Sequence, residues 1–346
     1  MSQLPEIQIN PEIHPKHGLH LPALDLWLDA PRAKSFSFIS HAHSDHVARH
    51  QQILCSPITA HLLQRRYRIA RDRLTIQHFH EPVTWNDHCI TLLPAGHIPG
   101  SAMLHVRSLR SQASLLYTGD YKLRPSRAAE PASWLQADTL IMESTFGLPH
   151  YVLPPAADIE KSILRFIHNA IADHATPVLL GYSLGKAQEI AAILAAHHLP
   201  FVSSKRVCEM TQACREAGCT LPEPQLWEGK IPLGTTLIAP PQILKQPEFF
   251  SIPHRRSCMM TGWALNASAK FRYGTDDAIP LSDHADFPDL LETAALVQPK
   301  KIITIHGSTR ELASTLRQRG YNAWSHFGND QLDLPFIENG KYKSKQ

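Results

Sequence analysis

Apolar positions in the first third of the chain come in short bursts. Runs at 36–40, 74–79, 88–93, 102–106, 114–117 and 139–142 are closely spaced and separated by turn residues, a pattern that predicts short strands. Residues 56–71 interrupt them with helical patterning. The middle differs in character. Residues 156–174, 185–197 and 205–217 carry a helical period, and between them 177–180 and 201–203 read as buried parallel strands. From about 278 the early style returns, with a strand over 278–281, a helix over 288–297, a strand over 301–305 and a helix over 310–320. These elements predict an α/β (α+β) protein. A sandwich-like domain, residues 1–155 and 266–346, is interrupted by an inserted α/β cap, residues 156–265. No internal repeat of domain-building length is present. The basic tail at 341–346 is expected to fray.

Composition narrows the class. A chain of 346 residues with 43% hydrophobic and 19% charged positions has ample material for a core, so it is neither disordered nor collagen-like. No apolar run is long enough to span a membrane. The segment before residue 15 carries Pro5, Glu6, Pro11 and Glu12 without an apolar stretch, so a secretory signal is not expected. None of the six cysteines forms a CxxC pair, and they read as reduced thiols of a cytoplasmic protein. A net charge of +3 permits a polyanionic partner without requiring one.

The unusual number is 22 histidines. His41, His43, Asp45 and His46 fall within six residues directly after a predicted strand. Alternate positions of an extended segment point the same way, so His41 and His43 can grip one ion while the following turn aims Asp45 and His46 at a second. His97 in a Gly/Pro loop, Asp120 and His306 each stand at a strand end. They complete two sites: His41, His43, His97 and Asp120, and Asp45, His46, His306 and a shared Asp120. Mixed imidazole and carboxylate ligands suit zinc, with manganese possible. Two such ions activate a water and polarise a phosphoryl oxygen. Isolated histidines such as His14, His61, His174 and His198 read as ordinary ones.

His-x-His-x-Asp-His, a Gly-His loop and Gly-Asp resemble the metallo-β-lactamase superfamily. Glu143-Ser-Thr-Phe-Gly147 resembles motif A of its β-CASP nucleases, Ser282-Asp-His-Ala-Asp286 motif B, and Ile305-His-Gly307 motif C. The resemblance spans nearly the whole chain. It implies an αββα sandwich with an inserted β-CASP cap and a two-metal phosphodiesterase. Asp45 then doubles as the group that orients or deprotonates water, and His284 protonates the leaving oxygen with Glu143 fixing its tautomer. Residues 143–149 and 181–189 are similar to bacterial ligase-associated DNA exonucleases, relatives of Artemis. That likeness implies DNA repair beside an ATP-dependent ligase and a helicase, with 5′-to-3′ digestion from a 5′-phosphate. His306 at motif C resembles the RNA-processing branch instead.

Other readings stay open. Gly181-x-Ser183-x-Gly185 has the form of a serine nucleophile elbow, with His306 or His284 as base and Asp283 or Asp276 as acid. As a P-loop the segment fails, being one residue short with Ala187 where Ser or Thr belongs. A milder role for Ser183 and Lys186 is to hold a backbone phosphate at a helix N-terminus. Lys122, followed by Arg124 and Arg127, and Ser308 are further phosphate-binding candidates. The cluster Arg65, Arg66, Arg68, Arg71 and Arg73 reads as a solvated face. A metal-holding scaffold and a small-molecule hydrolase of the same superfamily complete the alternatives.

Overall fold

The computed structural model describes residues 9, 11–14, 18–266 and 268–325. Six strands form a first sheet in chain order: β1 (Glu12–His14), β2 (Gly18–Leu21), β3 (Leu26–Leu28), β4 (Phe36–Phe38), β5 (Gln52–Cys55) and β6 (Leu74–Ile76). The second sheet begins with β7 (Val83–Trp85), β8 (His88–Pro94), β9 (Ala102–Ser108), β10 (Ser114–Tyr117) and β11 (Thr139–Ser144). The chain then leaves it for a third, all-parallel sheet of β12 (Thr176–Leu180), β13 (Phe201–Ser203), β14 (Thr236–Ala239), β15 (Arg255–Met260) and β16 (Asp277–Ile279). It returns with β17 (Lys301–Gly307), beside β11, and β18 (Ala323–Ser325) at the edge.

The first two sheets bury one face each against the other, through Leu21, Leu26, Phe38, Leu104, Tyr117 and Ile303. Helix α1 (Pro57–Tyr67) covers the outer face of the first sheet with Leu62 and Leu63. A helix over Phe287–Val297 and another over Thr309–Gln318 cover the second through Leu290, Ala294, Leu312 and Leu316. The result is the expected αββα sandwich. Helices over Ala156–Ala172 and Lys186–Ala196 pack on one face of the third sheet, which buries apolar side chains on both faces. Among the described residues, no helix is long and apolar enough to cross a membrane.

Two boundaries differ from the sequence expectation. The helix expected over 56–71 starts as predicted, with the Ser56 hydroxyl accepting the Thr59 N–H and Pro57 leading, but stops where Arg68 turns left-handed at φ 57°. The strand expected to open the returning sandwich pairs instead with β15, so the chain re-enters the second sheet only after Ile279, not after 265. β1, β2, β3, β5, β7, β14, β15 and β18 are not among the strands that the sequence pattern predicts. The tail at 341–346, with Pro5 and Glu6, lies outside the described residues.

Candidate metal centre

Strand ends build the site. His41–His46 follow β4, His97 follows β8, Asp120 follows β10, Glu143 ends β11, and His306 ends β17. His284 sits in the loop between β16 and the helix over Phe287–Val297. The inserted lobe closes over this edge. Gly185 at φ 89° sits so close to the His97 loop that a Cβ there would lie 2.2 Å from Ile98 Cγ2. That approach requires glycine. The cavity between lobes has a volume of about 730 Å³ and is lined by His43, Asp45, His46, Asp120, His284 and His306 among others.

Three imidazoles converge. His43 Nδ1 lies 3.1 Å from His41 Nε2 and 3.1 Å from His97 Nε2. The opposite nitrogens fix the tautomers. His97 Nδ1 faces the Asp283 carbonyl at 2.8 Å and His43 Nε2 the Leu184 carbonyl at 3.1 Å. A carbonyl only accepts, so those nitrogens carry the protons. Ser40 Oγ donates to Asp29 Oδ2 at 2.6 Å, which leaves it to accept from His41 Nδ1, 3.0 Å away. Three lone pairs therefore face one another. Burial holds the His41 and His43 imidazoles below their usual value and takes His97 down to about 3, so all three are neutral and could each offer a lone pair to a metal. Lone pairs this close repel unless a cation sits between them, and the spacing suits one held at about 2.0–2.1 Å from each nitrogen.

The second group shares Asp120. Its Oδ2 lies 3.3 Å from His46 Nε2, 3.7 Å from His41 Nε2 and 3.9 Å from His97 Nε2. Burial lowers the His46 pKa, but the Asp120 and Asp29 carboxylates override it and lift the imidazole well above its usual value. Positive charge is favoured there. Ligand atoms of His41, His46 and Asp120 lie within 4.8 Å of one another, as do those of His41, His43 and His97, and of His97, Asp120 and His284. Asp45 and His306 are outside these tight groups. Asp45 stands at the mouth, its side chain 70% exposed and 3.7 Å from His46 Nε2. His306 is exposed at φ 54°, with its ring centroid 6.1 Å from that of His46. Both line the same cavity.

Glu143 is fully buried, and its two oxygens lie 2.9 and 3.0 Å from His284 Nδ1. Burial opposes the charge on His284, but Glu143 lifts its pKa to about 10. One proton on Nδ1 is thus committed to Glu143, and Nε2 is left to act.

The substrate-binding candidates divide. Ser183 lines the cavity. Lys186 lines it too, but its buried ammonium is spent on Asp283 Oδ1 at 2.7 Å and the Leu281 carbonyl at 2.9 Å. Lys122 is buried and bonded to Glu189 of the insertion at 2.6 Å. Arg124 pairs with Asp286 and Arg127 with Glu160. Lys122 and Lys186 therefore tie the lobes together instead of waiting for phosphate, because an unpaired ammonium at such depth is costly. Ser308 stands at the N-cap of the helix over Thr309–Gln318, outside the cavity lining. The serine-elbow reading fails on geometry. Asp283 is engaged by Lys186, Asp276 by Ser257 and His284 by Glu143, and no hydrogen bond joins Ser183 Oγ to a histidine among the described residues.

Two contributors carry no motif. Asp29 accepts from Ser40 N, Ser40 Oγ and Tyr117 OH and stands 3.1 Å from His46 Nδ1. Arg66 reaches into the cavity while its Nη1 donates to the Ala42 carbonyl, so it does not belong to a purely solvated face.

Residues 277–325 match a family model described as the Zn-dependent metallo-hydrolase RNA specificity domain. Over 318 residues the chain is 43% identical to a "Probable DNA ligase" of Opitutus terrae, covering 92% of this chain and 31% of that protein. It is 28% identical over 311 residues to the "5' exonuclease Apollo" of Rattus norvegicus, covering 82% and 53% respectively. A 107-residue stretch, 30% of the chain, is 36% identical to 16% of the "Transcription termination factor FttA" of Pyrococcus horikoshii. The chain thus spans about a third of one and about half of the other of the two relatives that match it broadly. On this sandwich, its insertion and these likenesses, the chain belongs to the β-CASP nuclease family of the metallo-β-lactamase superfamily.

Proposed function

We propose that this protein is a metal-dependent exonuclease that hydrolyses phosphodiester bonds at DNA ends during repair. The observation that carries the reading is the pair of ligand groups sharing Asp120 beside a charged His284 held by Glu143. His41, His43, His97 and Asp120 would hold one divalent ion, and Asp45, His46, His306 and Asp120 a second, zinc before manganese. Bound there, the ions would lower the pKa of a water and polarise the scissile phosphoryl group. The chain's own residues do the rest. Asp45 orients that water at the cavity mouth and accepts its proton. His284 Nε2 donates to the leaving oxygen, and Glu143 keeps the ring charged and aimed. Ser183, which also lines the cavity, could hold a neighbouring phosphate.

A relative named for DNA ligase, of which a stretch like this chain is about a third, supports work beside a ligase; an ATP-dependent ligase and a helicase are the partners implied by the likeness of residues 143–149 and 181–189 to ligase-associated exonucleases. The Apollo likeness supports attack from a 5′ end. Free thiols at all six cysteines suit a cytoplasmic setting. RNA processing is the second reading, favoured by His306 at the end of β17 and by the match of 277–325.

The test offers labelled single-stranded DNA, duplex DNA and RNA, each with a 5′-phosphate, to protein loaded with zinc or manganese. Stepwise loss of DNA from the 5′ end, abolished by chelation and by Asp45→Ala or His284→Ala, is expected. Full activity in Asp45→Ala discards the mechanism. Cleavage of RNA alone moves the protein to the second reading.

A further inference from the structure

Directly beside the metal cavity lies a second concavity of about 460 Å³, lined by Val47, Ala48, Arg49, Tyr67, Arg68 and Arg73. The two hollows are consecutive along the chain. Ser44, Asp45 and His46 line the first, and Val47, Ala48 and Arg49 the second. Arg66 and Tyr67 divide in the same way across the end of α1. We propose that Arg49, Arg68 and Arg73 form a phosphate-binding concavity that grips the nucleic-acid backbone beyond the scissile bond. This rests on the nuclease reading above and names the part of the chain that would hold the polymer.

Three observations support it. First, residues 47–73 carry six arginines against one acid, Asp72, which pairs with none of them among the described residues. Second, the arginines outside the hollow are committed. Arg65 pairs with Glu216, Arg66 donates to the Ala42 carbonyl at 3.0 Å and Arg71 to the Leu74 carbonyl at 2.8 Å. Arg49 and Arg68, by contrast, have no ion pair among the described residues, and Arg73 makes only a 3.4 Å bond from Nε to the Gln51 carbonyl. Third, the reach is right. Arg49 is four positions beyond Asp45, at most about 14 Å of extended chain. A duplexed strand carries one phosphate per about 3.4 Å of axis, so the neighbours of a phosphate in the metal cavity fall within reach of the guanidinium groups. Like charges gathered around a hollow without counter-charges repel one another, and a polyanion relieves that repulsion.

The experiment measures binding of a fluorescein-labelled single-stranded DNA by anisotropy, in chelator, across a salt series. It compares the wild type with Arg49→Gln/Arg68→Gln/Arg73→Gln and with Arg110→Gln, which loses a charge on a distant hairpin. Hydrolysis of bis(p-nitrophenyl) phosphate by metal-loaded protein monitors the metal cavity separately. The triple variant should bind about tenfold more weakly, and its log–log salt slope should fall in magnitude by about 2, with small-diester hydrolysis unchanged. Arg110→Gln should match the wild type. Unaltered affinity and slope in the triple variant overturn the assignment, as does an equal loss in Arg110→Gln. Loss of small-diester hydrolysis in the triple variant overturns the separation of the two hollows. Wild type that hydrolyses the small diester yet binds no oligonucleotide removes the nuclease reading with it.

Discussion

The carboxylate of Glu143 spans the Nδ1 of His284 with both oxygens, at 2.9 and 3.0 Å, although the residues lie 141 positions apart. Glu143 also accepts the Tyr121 N–H at 2.9 Å. The carboxylate is thus fixed independently of the histidine it holds. The two side chains form one device, so their substitutions should not add. Glu143→Gln and His284→Ala should each lower turnover on DNA by about 10²–10⁴-fold. The double variant should fall little further. A product of the two single effects in a double-mutant cycle would show that they act separately.

Asp29 predicts a defect in metal retention without itself ligating. It holds Ser40, which orients His41, and stands against His46 Nδ1. Removing such a partner typically costs about 10–100-fold in metal affinity. Asp29→Asn should therefore lose metal to a competing chelator at concentrations that leave the wild type loaded, as read by elemental analysis. Excess metal should restore turnover. His97→Ala, by contrast, should not be rescued so readily, since it removes a donor.

Lys186 tests whether the insertion is tied down by charge. Burial favours neutral Asp283, but the Lys186 ammonium at 2.7 Å holds its carboxyl well below the usual range. Lys186→Met leaves that carboxylate buried and uncompensated, which costs on the order of 3–5 kcal/mol. Denaturant unfolding should report a loss of this size. Unchanged stability with weakened oligonucleotide binding would instead return Lys186 to the substrate.

What the sequence disclosed depended on how local each feature was. Four candidate ligand residues in six positions stood out because they follow one strand end, and the structure sets His41, His43 and His46 close to one another. His97 and Asp120, polar residues closing apolar runs, also come together with that cluster, whereas His306, read the same way, stands outside the tight groups. Asp29 was not legible, because a lone Asp in a short turn carries no pattern and gains its role from Ser40 and Tyr117. Lys122 and Lys186 misled for the same reason: their partners, Glu189 and Asp283, come from 67 and 97 residues away. In the fold, helices over Ala156–Ala172 and Lys205–Glu216 showed their period plainly. β16 joined the insertion against expectation, since a three-residue strand reveals its partner only in space.

His50 should make stability depend on pH. It is fully buried, its Nδ1 accepts the Lys34 N–H at 3.2 Å, and its Nε2 has no partner among the described residues. A protonated ring cannot accept that bond. Burial accordingly pushes its pKa from 6.5 down to about 4. The unfolded chain binds this proton near pH 6.5 and the native state only near 4, so between those values unfolding takes up protons. Stability is complete above about pH 6.5 and declines as pH falls toward 4, by about 3 kcal/mol from this group. In His50→Asn the side-chain oxygen keeps the acceptor for Lys34 and nothing titrates. Urea unfolding of chelated protein should therefore give the wild type a steeper loss between pH 6.5 and 4 than the variant. Parallel curves would show that the folded protein takes up the His50 proton as readily as the unfolded chain, so that burial and the Lys34 bond do not hold the ring neutral.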